Sequence, residues 1–545
     1  MTEIIKEKIE LKPLIVTGTL AKDLIYESAS KSKIKSKVIS LPTQVAALMS
    51  AKYIARSLKS MNLEEFNIII IPGMTFGDAK DITELTEIQA FKGPKFAADL
   101  STILDNIGTV KLSTTIPACE LMKNVLSESI KKELLNLKTL DEVEIKCRLA
   151  MPIGKNSARI WIGRSIKPCI LAEIVDAPKL TDNRVEGLAK YFADSGANVI
   201  DIGMVSEKSE PSEVRRVIRA TKRAINNPIS IDTSDLDEIR VAVEENVDLI
   251  LSVNAQNMEG VSKFAKNIPV VITPIDERGI CPEDTMDRIN QLQLNINNAK
   301  SIGFEKIIAD PILNPPFTPN LIQSLNGYFE FAKRDSITPI FFGLGNVTEL
   351  MDCDSIGINL LLSSIGLELG ASIILATEAS DKTKGCIEEV SIALDMTILA
   401  KNRKGPPKDL GLDLLRLKEK RRIEEIYDNR LEINTKMIEP TGDTTLSLDP
   451  KGYFKIMIDR KERKIVTIHF RNKEEKPDFI LKSNEPINIF QYILQNEQIS
   501  TMEHAYYIGK ELSKAKIALN IGKSYVQENS LFNNYIHSDG VQSYL

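Results

Sequence analysis

Imidazole is scarce in this chain: its 545 residues carry three histidines, His469, His504 and His537, none of them before position 469. A Ser-His-Asp triad or a His-rich zinc site in the first 460 residues would need the tail to fold back and supply the ring. Carboxylates, amides and lysines must carry any chemistry there. The six cysteines (Cys119, Cys147, Cys169, Cys281, Cys353, Cys386) form no CxxC pair, which is the usage of reduced thiols, and no metal is assigned to them. Long apolar runs are missing too. The stretch 356–377 is broken by Asn359, Gly366, Glu368 and Gly370, so it reads as a buried helix followed by a strand rather than a membrane span. The opening MTEIIKEKIELKP alternates charge with isoleucine and has no apolar h-region, so no secretory signal is expected and the chain reads as cytoplasmic. No long Lys/Arg run occurs, and 70 basic against 75 acidic residues leave a net charge of −5. Nucleic acid, which needs a phosphate-tracking basic stripe, is therefore not the expected partner, and a small molecule is.

The composition, 43% hydrophobic and 27% charged, is that of a globular protein, and the length implies several cores. Three regions are expected: an N-terminal α/β domain over 1–165, a central barrel over 166–401 and a small C-terminal α+β domain over 402–545. In the first, PLIVTG, KVISL and NIIIIPG read as buried strands and residues 44–58 as an apolar-faced helix. No GxGxxG follows the first strand, so a dinucleotide site is not supported. The loops Pro72-Gly73-Met74-Thr75 and Lys92-Gly93-Pro94-Lys95 fall at strand ends and could touch a ligand, but ordinary turn chemistry is the favoured account of them.

The central region is regular. PCILAEIV, NVIDIG, PISID, DLILSV, PVVIT, KIIAD, PIFFGL and SIILATE are eight short β-rich runs, most followed by a helix-length segment such as 211–226, 235–246 and 282–302. That is the arithmetic of a (β/α)8 TIM barrel, with a doubly wound open sheet as the rival. Gly405-Pro406-Pro407 then stops a helix and marks a boundary. The run Lys418 to Glu425 is a charged helix best read as a solvated face, DPKGYFKIMID and KIVTIHF form a hairpin, and 500–521 is a long helix. On that helix His504, Ala505, Ile508 and Leu512 share a stripe, which makes His504 a core or capping residue before a site residue.

In such a barrel the ligand site is built where strands end, so the residues closing each run are the informative ones. They are Glu173 and Asp176, Asp201, Asp232, Asn254, Asp310, Asn346 and Glu378. One acid at a strand end is usually a helix cap, and Asp232 ahead of Thr233-Ser234 could be that alone. Acceptors on several strands converging on one mouth suit a flat ligand with an amidine-like edge, because a carboxylate takes two parallel N–H bonds. A divalent metal held by the acids and a purely structural rim are the alternatives.

The series Ser195-Gly-Ala-Asn-Val-Ile-Asp-Ile-Gly203, Ile229-Ser-Ile-Asp-Thr233, Asn254 and Ile308-Ala-Asp-Pro311 resembles the pterin-binding barrel of dihydropteroate synthases and pterin-dependent methyltransferases. The resemblance implies that Asp232, Asn254 and Asp310 bond the pterin edge, with Asp201 beneath the pocket. Departures matter too. Where the synthases have an Asn-Val-Thr-Pro-Asp-Ser loop that helps bind diphosphate and magnesium, this chain has Val175-Asp-Ala-Pro178, leaving Asp176 as the metal candidate, with Mg2+ the implied ion. Their pterin lysine in Ser-Arg-Lys is replaced by Gly345-Asn346, and their Arg-x-His anion site by Thr377 to Lys384. Diphosphate would then depend on Lys382 and Lys384, or on Lys208. Gly343-Leu-Gly-Asn-Val347 is similar to the methyltransferase segment whose asparagine approaches the reactive ring nitrogen, which makes Asn346 a catalytic as well as a binding candidate.

The flanks, with Asp449-Pro-Lys-Gly-Tyr-Phe454 and His504 to Leu512, resemble the dihydropteroate synthase-related proteins of methanogenic archaea. That resemblance implies one-carbon metabolism on tetrahydromethanopterin: condensation of a dihydropterin methyl diphosphate with an arylamine. The alternatives are methyl transfer with a corrinoid protein partner, and a noncatalytic pterin-binding or assembly subunit. Barrels of this family are often homodimers.

Overall fold

The computed structural model describes residues 11–108, 111–122, 125, 128–137, 150–206, 209–408, 410–418, 435–438, 440, 449–471, 476–532, 535–536 and 542–543. Cys147, Lys208, His537 and nearly all of the charged run 418–425 lie outside them.

Apolar runs without alternation need both faces covered, and this is how the N-terminal strands are used. Strands β1 (Pro13–Gly18), β2 (Lys37–Leu41), β3 (Ile68–Ile71) and β4 (Ala90–Lys92) form a parallel sheet in the order β2-β1-β3-β4, with β1 and β3 buried throughout. Leu14, Val16, Ile69 and Ile71 pack into the core on one face, and Ile15, Ile68 and Ile70 on the other. The expected helix over 44–58 is corrected. A 3-10 turn, Ala46–Leu48, is followed by a helix only at Ala51–Leu58, because the Ser50 hydroxyl accepts the Tyr53 N–H at 3.2 Å and caps the helix there.

A short hairpin, β5 (Met151–Ile153) and β6 (Ile160–Ile162), precedes the barrel. The barrel strands are β7 (Cys169–Ile174), β8 (Val199–Gly203), β9 (Ile229–Asp232), β10 (Leu249–Val253), β11 (Val270–Ile272), β12 (Ile307–Ala309), β13 (Ile340–Phe342) and β14 (Ala371–Thr377). All eight expected runs are strands. They close into a ring in which β14 pairs with β7, which excludes the open doubly wound sheet. The intervening segments include helices Pro211–Ala224, Leu236–Glu244 and Thr285–Ile302, and 356–377 is a helix followed by β14.

Inside the ring lies an apolar lower layer. Leu171, Val199, Leu249, Val271, Ile308, Phe341 and Ile373 pack together, and Ile153 and Ile162 of the β5–β6 hairpin belong to the same cluster. Each such fully buried side chain contributes about 1.5–3 kcal/mol, so the lower half of the barrel is filled and rigid.

Two compact units result, Met1–Leu414 and Leu415–Leu545. In the first, Arg403 pairs with Glu133 at 2.7 Å, and Ile130 packs with Leu399, Leu410 and Leu414. The second has an antiparallel sheet, β15 (Tyr453–Asp459), β16 (Lys464–Phe470) and β17 (Phe479–Ser483), with helices Pro486–Gln495 and Met502–Ile521. Phe454 and Ile456 point into its core with Ile508 and Leu512, and His504 is buried on the same helix stripe. The His504 Nδ1 lies 3.0 Å from Asp449 Oδ2. Among the described residues no helix is long and apolar enough to cross a membrane.

Candidate functional site at the barrel mouth

Side chains alternate along a strand, so the residue two places beyond each lower-layer residue faces the barrel interior at the C-terminal end. On four of the strands that position is polar: Glu173 follows Leu171, Asp201 follows Val199, Thr273 follows Val271 and Asp310 follows Ile308, whereas Leu251, Gly343 and Leu375 stand there on β10, β13 and β14. Strand register puts Glu173 beside Asp201, and Asp201 beside Ser230. One oxygen each of Glu173, Asp201 and Asp232 lie within 4.8 Å of one another.

This is an electrostatically demanding arrangement. Asp201 is fully buried; its Oδ1 accepts from the Ser230 hydroxyl at 2.5 Å, and its Oδ2 has no partner among the described residues. Burial, then Asp232 and Glu173, push its pKa well above the usual carboxylate range. Burial, with Asp232, Asp176 and Glu349 nearby, pushes Glu173 up to about 7, and burial pushes Asp232 up to about 6. Asp310, on the β12 side of the ring, is likewise pushed up to about 6 by burial, and the Asp232 charge adds to that rise. Its Oδ1 accepts from Ile312 N–H at 2.8 Å and Tyr328 O–H at 3.0 Å. Among the described residues, Arg288 is the cation whose charge opposes the rise at Asp310.

The capping explanation for Asp232 does not hold. Helix Leu236–Glu244 is capped by Asp235, which accepts from Asp237 and Glu238 N–H at 2.8 and 3.0 Å. Asn254 is buried just beyond β10; its Oδ1 accepts from Gln256 N–H, and its backbone N–H donates to Asn257 Oδ1, both at 2.9 Å. Asn346 is exposed and folds back at the end of β13, its Nδ2 2.7 Å from where a Cβ on Gly343 would stand.

The expected cation and metal residues sit outside this group. Lys382 donates to the Met351 carbonyl and lies 3.6 Å from Asp352, and Lys384 donates to the Glu378 carbonyl at 2.5 Å. Asp176 is paired with Lys179 at 2.8 Å, and it is not one of the three clustered acids. Sequence reasoning missed two supporting groups. Tyr328, fully buried on helix Leu321–Arg334, orients Asp310. Glu349 accepts from Thr377 Oγ1, Ala379 N–H, Ser380 N–H, Ser380 Oγ and Thr383 Oγ1, so one carboxylate fastens the loop after β14. Burial opposes the Glu349 charge, but the donors from Ser380, Thr383, Ala379 and Thr377 outweigh it and hold its pKa low. The only sequence signal for Tyr328 is an aromatic on the helix after the Asp310 strand; Glu349 has none.

A closed parallel barrel with an acid-and-amide rim defines a class, and the comparison with known families agrees with it: a family model described as "Pterin binding enzyme" matches residues 181–351, and one described as PterinBD-DUF4346 matches 448–528. An uncharacterized protein of Methanocaldococcus jannaschii is 36% identical over 539 residues, covering 96% of this chain and 99% of that protein. The chain belongs to the family of that archaeal protein, and the stretch that matches the pterin-binding model lies within the barrel, between the added N- and C-terminal regions. A dihydropteroate synthase of Clostridium beijerinckii is 31% identical over 136 residues, 22% of this chain and 51% of that protein, so this match spans about half of that relative. Among solved structures, Yersinia pestis dihydropteroate synthase with a pterine-sulfa conjugate is 20% identical, covering 46% of this chain and all of that one, with a TM-score of 0.37. The Coxiella burnetii dihydropteroate synthase in complex with pteroic acid is 22% identical, covering 43% of this chain and 94% of that one, with a TM-score of 0.34.

Proposed function

We propose that the chain is a dihydropteroate synthase-like transferase that condenses a dihydropterin methyl diphosphate with an arylamine in tetrahydromethanopterin assembly. One observation carries this reading: one oxygen each of Asp201 and Asp232 lies within 4.8 Å of the other and of Glu173 where their strands end. In this reading Asp232, Asn254 and Asp310 take the N–H edge of the reduced pterin, with Asp201 beneath it. The apolar lower barrel blocks water from below, and the ring is held while diphosphate leaves the exocyclic methylene and the arylamine nitrogen attacks the carbon. The protein contributes position and electrostatics rather than acid-base work.

A departing diphosphate needs positive charge. Lys384 spends one donor on the Glu378 carbonyl and keeps others for an anion, whereas Lys382 is held by the Met351 carbonyl and lies 3.6 Å from Asp352. Mg2+, implied by the resemblance, would share that charge; Asp176 does not by itself make a site for it, being already paired with Lys179.

A second reading, methyl transfer from a methylated pterin to a corrinoid partner, is favoured by Asn346 lying exposed at the end of β13. Incubating the full chain with dihydropterin methyl diphosphate and labelled ribosylated or simple arylamines decides between them. Coupled product with release of diphosphate is expected. Tight pterin binding without product would make the chain a carrier, and methyl loss from a methylpterin only with a corrinoid protein would establish the second reading.

A further inference from the structure

In the N-terminal parallel sheet the chain runs from β1 to β2 on one side, then crosses β1 to reach β3 on the other, so the strand order reverses between β1 and β3. In open parallel sheets, ligands bind beyond the carboxyl ends of the strands at such a place. Two buried groups there are short of partners. Lys92, which closes β4 beside Ile71 of β3, is only 9% exposed, and its Nζ donates to the Thr75 carbonyl at 2.9 Å. Lys92 makes no ion pair among the described residues: Glu120 pairs with Lys95 instead, and Asp78 accepts from the Lys80 N–H at 2.9 Å. Burial pulls the Lys92 pKa below the usual lysine range, although the charges of Asp78 and Glu120 oppose that fall. An ammonium carries three N–H groups, so one carbonyl leaves it under-used. Thr75, the residue that Lys92 holds, is itself buried, and its hydroxyl has no partner among the described residues. Buried polar groups left this way cost free energy that a ligand acceptor would recover.

The loops after β1, β2 and β3 add a second, independent feature. Backbone bonds tie them together: Thr19 N–H to the Thr43 carbonyl at 2.9 Å, and Phe76 N–H to the Met49 carbonyl at 3.1 Å. Gly18 permits the first approach, since a Cβ there would stand 2.7 Å from the Thr43 carbonyl oxygen. Each loop nevertheless presents a large apolar side chain to solvent, with Leu20, Leu48 and Phe76 exposed by 70, 78 and 81%. Apolar side chains gathered on one edge mark a binding surface. We propose that the carboxyl edge of the N-terminal sheet binds a small molecule with an anionic head and a flat apolar body. Lys92 and the Thr75 hydroxyl take the head, a carboxylate or a phosphate, and Phe76, Leu48 and Leu20 flank the body. An anion suits Lys92 because it supplies the charge partner that the protein does not. No GxGxxG run builds a diphosphate cradle here, so a single head group is expected. The inference is independent of the pterin reading, because it concerns a different sheet and is tested without pterin.

Calorimetry on the full chain uses benzoate and phenyl phosphate as probes, with inorganic phosphate and benzyl alcohol as controls for the head and the body alone. Saturable binding of at least one aryl anion, tighter than both controls, is expected, and the tighter of the two tells carboxylate from phosphate. Lys92→Met should weaken it at least about tenfold. Phe76→Ser, at an exposed position that the fold does not need, should weaken it about tenfold. Thr75→Val removes a hydroxyl that makes no bond in the free protein, so the melting temperature should hold or rise while affinity falls several-fold; a purely structural threonine would show no such loss of affinity. Three results would overturn the proposal: no saturable binding of either aryl anion, binding that survives both Phe76→Ser and Thr75→Val, or binding lost in Asp232→Asn but kept in Lys92→Met, which would put the probe in the barrel. Affinity for a reduced pterin, measured separately, bears on the proposed function alone.

Discussion

Replacing Asp310 by asparagine keeps the shape of the site and removes its charge. The Oδ1 of Asp310 already serves Ile312 N–H and Tyr328 O–H, so an asparagine can keep both bonds and turn its NH2 toward the mouth. The fold should survive. A pterin edge that gave two N–H bonds to the carboxylate then meets a donor. Two charge-assisted bonds weaken by about 1–1.5 kcal/mol each, which is about 2–3 kcal/mol or roughly 30- to 150-fold in Kd. The pH dependence adds a second readout. Asp310 is pushed up to about 6 by burial, so the wild-type affinity falls about tenfold per unit below pH 6 as the acceptor is protonated, while the asparagine contributes no such slope. Calorimetry with a reduced pterin, in buffers of different ionisation enthalpy at pH 6, should show protons released by the wild type and fewer by the variant. The free protein behaves in the opposite sense. A carboxyl raised in the folded state supports stability at acid pH and loses that support as pH rises through 6, so Asp310→Asn should gain melting temperature over wild type at pH 8 relative to pH 5. An affinity within about threefold of wild type, with an unchanged pH profile, would refute the reasoning.

Tyr328→Phe removes one donor from Asp310; it should cost about 1 kcal/mol of stability and move the affinity midpoint to higher pH, read by the same titration. Glu349→Ala frees the loop after β14 from its five donors; a loss of about 2–4 kcal/mol and faster hydrogen exchange at Ala379 and Ser380 are expected, with smaller effects in Glu349→Gln. In the C-terminal unit, burial works against the Asp449 charge, but bonds from Ser500, Lys451 N–H and His504 outweigh it and hold that carboxyl well below its usual range. Its contribution is present at neutral pH and is lost only as pH falls below about 4, so Asp449→Asn should lower the melting temperature at pH 7 and have less effect in strong acid.

The barrel strands were legible because both faces of each are covered, so each reads as an uninterrupted apolar run ending in an acid or amide. Closure followed from the count of eight alternating runs, although pairing of β14 with β7 joins residues some two hundred positions apart and itself leaves no local mark. The break before Ala51 turned on one serine hydroxyl choosing a backbone N–H, and the β5–β6 hairpin hid in short segments around Pro152 and Gly154. At the site, Asp201, Asp232, Asn254 and Asp310 were named from the strand ends. Glu173 was seen in the rim but given no role, because only the register with β8 and the missing Cβ of Gly203 bring it against Asp201. The bonds that tie Lys382 and Lys384 to carbonyls, and Asp176 to Lys179, depend on loop conformation that strand patterns do not encode.

A crystal structure of the full chain grown with a reduced pterin tests the central claim most directly. Density for the bicyclic ring in the barrel mouth, its amino-pyrimidinone edge bonded to Asp232, Asn254 and Asp310, is the expected result. A ring bound elsewhere in the chain, or lying in the mouth with that edge turned away from all three, would contradict the account.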